Sequence, residues 1–218
     1  MMSTRTNLAR LCGIALTVSA VLAFPAAAAS FATYHDEAQW QAAAGTSNLE
    51  TFESYSVGTQ VSSLPLLGVA FAEVAGGGFP VIYNHFENDT PYGSHHLANF
   101  PQGINEINRY ADIVLFPLPG REIFAIGFYN GDGQADTMVA TAYGAANDVL
   151  GAVGAFKGTF AGMISSAPIA KVVFGGLTGD GWNHIDGLQV AAVPEPSKIT
   201  LVAAGLLLLF AARRKYRG

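Results

Sequence analysis

Apolar positions fall into two uncharged, largely apolar runs, Leu11 to Phe24 and Ile199 to Ala212, and a long middle stretch with a different rhythm. In the middle, short runs rich in Val, Ile, Phe, Tyr and Thr are broken by Gly, Asn, Asp and Pro at intervals of eight to twelve residues. The clearest are Val69–Val74, Tyr110–Phe116, Ile123–Tyr129, Thr137–Tyr143, Ile169–Phe174 and His184–Ala191. Leu49–Phe52, Pro80–Tyr83, Val149–Phe156 and Thr159–Ile164 follow the same pattern more weakly. Phe124, Ile126 and Phe128 alternate as one buried strand face requires, and Met138, Ala140 and Ala142 do the same. One short helix is predicted at the front, about Asp36 to Ala44, where Trp40 and the alanines precede a natural stop at Gly45. No helical pattern separates the later strands, so the spacing predicts an all-β, antiparallel β-sandwich instead of a parallel α/β sheet. No repeat of fixed period is present, which argues against a solenoid or propeller.

The two apolar runs read as cell-envelope signals. Arg5 and Arg10 precede the first, and Pro25 followed by Ala26 to Ala29 ends it, so residues 1–29 have the order of a secretory signal peptide cleaved after Ala29. Cys12, the single cysteine, lies inside this segment. The exported domain is therefore expected to fold without disulfides, thiol catalysis or cysteine metal sites. The second run, 14 residues, makes a helix of roughly 21 Å against a hydrocarbon core of about 30 Å. Lys198 and Arg213 can snorkel to lengthen the effective span. A buried core helix has a similar length, but this run lacks a polar face and is followed by Arg213, Arg214, Lys215 and Arg217. Residues 198–212 are read as a transmembrane helix and residues 213–218 as a basic stop-transfer tail in the cytoplasm, with everything before Val193 outside.

Removing both ends changes the electrostatic picture. Residues 30–192 form one domain carrying 15 acidic residues and four basic ones (Arg109, Arg121, Lys157, Lys171), a formal charge of 4 − 15 = −11. The whole-chain value of −5 hides this because seven of the 11 basic residues sit in the two end segments. Such a surface repels nucleic acid and anionic headgroups and suits cations, neutral glycans or simple solubility.

In the segment 193–218, Pro194, Glu195 and Pro196 stand ahead of the apolar run and the basic end. That order resembles the PEP-CTERM sorting signal of bacterial envelope proteins. The resemblance implies recognition by an exosortase, transient anchoring in the inner membrane and cutting near the tripeptide, with delivery to the cell surface or beyond. A looser likeness covers the domain. Leu49-Glu50-Thr51-Phe52-Glu53, Val57-Gly58-Thr59, Gly68-Val69-Ala70-Phe71 and Ile185-Asp186-Gly187-Leu188 are similar to the jelly-roll, lectin-like domains often found before such tails. This implies the fold and carries no activity with it.

Chemistry within the domain is sparsely marked. Glu53 near the first strand and Asp186 near the last are expected to come together and share a structural Ca²⁺, with Glu50 nearby; two such carboxylates without a cation repel or protonate. Asp132 and Asp136 in a glycine-rich string have the chemistry to wrap a Ca²⁺, but no EF-hand pattern is present and turn formation is the favoured reading. His95 and His96 are adjacent, so a strand sends them to opposite faces, and no His-Glu-x-x-His spacing occurs. No Gly-x-Ser-x-Gly elbow is present. Trp182, Asn183 and Tyr129 are the candidate glycan contacts, because an aromatic face among polar side chains suits a sugar, although Trp182 also fits as a cap on the core. The reading is a non-catalytic structural or weakly glycan-binding exported protein, with extracellular polysaccharide as a candidate partner. Its alternative is a secreted polysaccharide hydrolase whose carboxylate pair the sequence does not mark.

Overall fold

A computed structural model describes residues 30–74, 77–84, 90–99, 111–131, 137–176 and 182–191. The signal-peptide, sorting-motif and membrane-helix readings, and the Asp132–Asp136 string, lie outside the described residues.

In chain order the elements are β1 (Phe31–Tyr34), α1 (Glu37–Ala44), β2 (Asn48–Glu50), β3 (Ser63–Leu64), β4 (Val69–Phe71), β5 (Val81–Asn84) and β6 (His95–Ala98). There follow β7 (Ile113–Pro117), β8 (Ala125–Asn130), β9 (Thr137–Tyr143), β10 (Val149–Phe156), β11 (Phe160–Ser165), β12 (Lys171–Gly176) and β13 (His184–Ala191). The strands pair antiparallel in two sheets. The first has the order β1-β11-β8-β13-β6-β5 with β2 also paired to β13, and the second the order β10-β9-β12-β7-β4-β3. The domain is the expected all-β sandwich with one short helix.

The core lies between the sheets. Phe128 of the first and Phe174 of the second meet edge to face at 5.1 Å, within a cluster that includes Ile126, Met163, Ile185, Leu188, Ile113, Leu115 and Val172. On β9 the buried residues are Met138, Ala140 and Ala142, the face read from the sequence. On β8 alternation tells only half the story, since Ala125 and Gly127 on the opposite face are buried too. The cause is α1, which lies on the outside of the first sheet. The Asp36 side chain caps it by accepting from the Gln39 N–H at 2.8 Å, so Asp36 stands just outside the helix. Trp40 is wholly buried, its ring edge-on to Phe160 at 5.9 Å and its Nε1 donating to the Met163 carbonyl at 3.2 Å. A Cβ at Gly162 would overlap the indole, so the strands beneath it must be smooth there.

Both ends of the described sandwich leave from one pole. Phe31 pairs with Ser165, the Ser165 N–H donates to Phe124, and the Phe124 N–H donates to Ala191. The start of β1 and the end of β13 thus share one row, three strand spacings or about 14 Å apart.

Candidate functional site

The outer face of the first sheet, beside α1, carries a polar network. Glu37, in the first turn of α1, accepts from Tyr92 Oη at 2.5 Å, Tyr129 Oη at 2.9 Å and Gln41 Nε2 at 3.1 Å, and from Gln189 Nε2. One carboxylate on the helix therefore grips β8, β13 and the segment before β6. Burial, followed by the hydrogen bond and charge of Glu37, raises both tyrosine hydroxyls well above the usual phenol range. The Tyr92 and Tyr129 rings meet edge to face at 5.7 Å. Gly187 sits beneath Tyr92 with φ +51, and a Cβ there would overlap that ring.

Asp186 is the neighbouring acid, paired across the strands with Tyr129 and wholly buried. Thr90 Oγ1 donates to its Oδ2, and the Gly187 N–H donates to its Oδ1 at 2.6 Å. His96 Nε2 stands 3.9 Å from Oδ2. Burial pushes the carboxyl up to about 6, with Glu53 adding to the rise and the two donors opposing it. His96 and His184 are also fully buried, with ring centroids 6.1 Å apart, and Tyr83 and Trp182 lie 5.5 and 6.0 Å from His184.

The residues singled out in the sequence are distributed over this face. Glu53 follows Phe52, whose backbone takes the left-handed φ of 62 while its ring is buried in the core. That turn exposes Glu53 and lets its carboxylate accept from the His95 N–H at 2.6 Å. The pairing of Glu50 with Leu188 brings this segment alongside the last strand, so Glu53 lies close enough to raise the Asp186 carboxyl. Both oxygens of Asp186 are engaged by donors, and among the described residues no group of three or more His, Cys, Asp or Glu could hold a metal ion. Tyr129 is half-buried with its hydroxyl on Glu37. Asn183 is buried and donates to the Ala111 carbonyl at 3.0 Å. Trp182 is half-buried against Val81 and Ala98. Of the three candidate glycan contacts, Trp182 and Tyr129 share the outer face, whereas Asn183 turns inward to tie down a loop.

Glu37, Thr90 and Tyr92 carry no sequence signal of a site, and His96 enters the sequence only as half of an adjacent histidine pair without metal-ligand spacing. Glu37 reads there as an ordinary acid of a helix first turn; Gln41 is its i,i+4 neighbour on α1, but its other three partners come from positions 92, 129 and 189, which no local pattern links. His95 and His96 do point to opposite faces of a strand, as their adjacency requires. The sequence did not show that the outward face at His96 is covered.

No family model matches the sequence, and no curated protein matches it. Among solved structures, the K2 cleaved adhesin domain of Lys-gingipain matches at 14% identity with a TM-score of 0.43, over 67% of this chain and 99% of that chain.

Proposed function

We propose that this chain is an exported envelope or extracellular-matrix protein whose sandwich is a non-catalytic structural or weakly glycan-binding domain, delivered by a PEP-CTERM-type tail. The observation that carries the reading is the shared pole at which β1 begins and β13 ends. An anchor that follows Ala191 then leaves from the pole where the chain starts after leader cleavage, and the opposite pole of the sandwich projects outward. The acidic surface, −11 over residues 30–192, suits a hydrated extracytoplasmic setting.

The polar network favours a structural role over hydrolysis. A glycosidase needs two carboxylates open to the substrate. Here Asp186 is wholly buried and Glu37 is occupied by four donors from the protein itself. Trp182 offers the remaining aromatic surface for a sugar.

Two experiments test the reading. In a host carrying an exosortase, the full chain is expected in the surface or extracellular fraction. Replacing Pro194, Glu195 and Pro196 by alanine should hold the uncut form in the inner membrane, at least tenfold enriched; identical fractionation of both forms would sink the sorting claim. On a glycan array, with a panel of chromogenic glycosides alongside, weak binding reduced by Trp182→Ala and no turnover is expected. Turnover abolished by one carboxylate substitution would install the hydrolase alternative. Running the array and a melting curve with and without calcium tests the ion proposed for Glu53 and Asp186: a calcium-dependent rise in Tm should vanish in Glu53→Ala and Asp186→Ala, and no rise in the parent ends that proposal.

A further inference from the structure

We propose that the free edge of β10 is a self-association surface, on which a second copy of this chain adds its own β10 as an antiparallel partner. β10 stands at the end of the second sheet and, among the described residues, pairs only with β9. It is eight residues long, roughly 26 Å, whereas the other three end strands, β1, β5 and β3, have four, four and two. Natural sheets blunt long edges with lysine, proline or inward charges. This strand reads Val-Leu-Gly-Ala-Val-Gly-Ala-Phe and contains none of them; its one irregularity, a bulge-like register shift between Val149 and Gly151, lies at its start and leaves Gly151 to Phe156 in continuous register with β9. Large apolar side chains are exposed at both its ends, Val149 at 63% and Phe156 at 51%.

Charge selects the occupant. Residues 137–176, which contain β9 to β12, hold one acid (Asp148) and two lysines (Lys157, Lys171). The rest of residues 30–192 holds 14 acids and two arginines. Two copies of so acidic a domain repel each other over most orientations, and the sector around β10 is where their approach is least opposed. An antiparallel pair of identical strands is also two-fold symmetric, so one edge is its own complement. The core side of the strand is already committed, with Val153 and Ala155 buried and the Phe31 ring against Gly151, which holds β10 in place for a partner. Edge pairing covers less than the roughly 800 Å² per partner of a standard interface, so the association is reversible and concentration-dependent.

The inference rests on the structural reading above, but the two fail separately, because sorting is read by fractionation and pairing by mass. Sedimentation of the full chain in detergent should show the protein mass rising toward twofold with concentration. Amide hydrogen exchange should show β10 gaining protection over the same range. The Val149→Lys/Phe156→Lys variant should weaken association at least tenfold with its melting temperature retained. Ala152→Asp, at another exposed position of the strand, should do the same and supplies an independent reading if the lysine pair disturbs the fold. A chain that stays monomeric at every concentration, association unchanged in both variants, or protection gained on another strand would each overturn the proposal.

Discussion

Replacing Trp40 by alanine is expected to lower the stability of the sandwich by about 3–5 kcal/mol, the range for a large aromatic removed from a buried site. The side chain is fully buried, and its indole fills the space that Gly162 leaves on the sheet. Truncation opens a cavity there, removes the edge contact with Phe160, and takes the Nε1 donor from the Met163 carbonyl. It also loosens the seat of α1, so Glu37 holds Tyr92, Tyr129 and Gln189 less firmly. For a domain of this size the loss corresponds to a fall of roughly 10–15 °C in Tm. Calorimetry on Trp40→Ala, with the exposed Ala42→Ser as a control on the same helix, checks it. A loss below about 1 kcal/mol would mean that the helix is an appendage and not a second core layer.

The second large effect is a pH dependence from Asp186. Its carboxyl titrates at about 6 in the folded chain against 3.8 in the reference state, so the folded form binds the extra proton between these values. The stabilisation from that proton is fully present below about pH 4 and is lost as pH rises through 6. It amounts to about 3 kcal/mol at most. The groups facing Asp186 are Thr90, the Gly187 N–H, His96, Glu53, Tyr92 and Tyr129. Asp186→Asn keeps an oxygen for the Gly187 N–H and removes the charge. The variant should therefore equal or exceed the parent above pH 6, and the difference between the two should shrink toward pH 4. Denaturant unfolding at a series of pH values measures this difference and cancels the other carboxylates. A parent that instead gains on the variant as pH rises from 4 to 6 would assign the site to a charged His96–Asp186 pair.

Much of the fold was legible because the residues that face the inter-sheet core announce themselves by alternation and by turn residues at regular intervals. The bounds of β9, β10 and β13 match the sequence reading, and α1 differs by its capping residue alone. The strands that went unread, β1, β3 and β6, are short, and β6 opens on two histidines that carry no strand signal. The polar network was not legible for a different reason. A partly exposed glutamate on a short helix looks the same in sequence whether it meets water or two tyrosines and two glutamines. Glu53 comes near Asp186 through β2, which pairs with β13 at Glu50 and Leu188, whereas the terminal strands β1 and β13 stand three strand spacings apart.

The sequence by itself determined the class of the domain, its acidity, the absence of cysteine after Cys12, and the two end segments from which its sorting is proposed. These depend on composition and local period, which a chain carries with it before it folds. Tertiary structure alone decided that α1 covers one sheet, that Asp186 and two histidines are buried beneath the outer face, and that the long edge of β10 stands unpaired among the described residues. Burial and edge position are relations between segments far apart in the chain. They arise only when packing selects which face meets water.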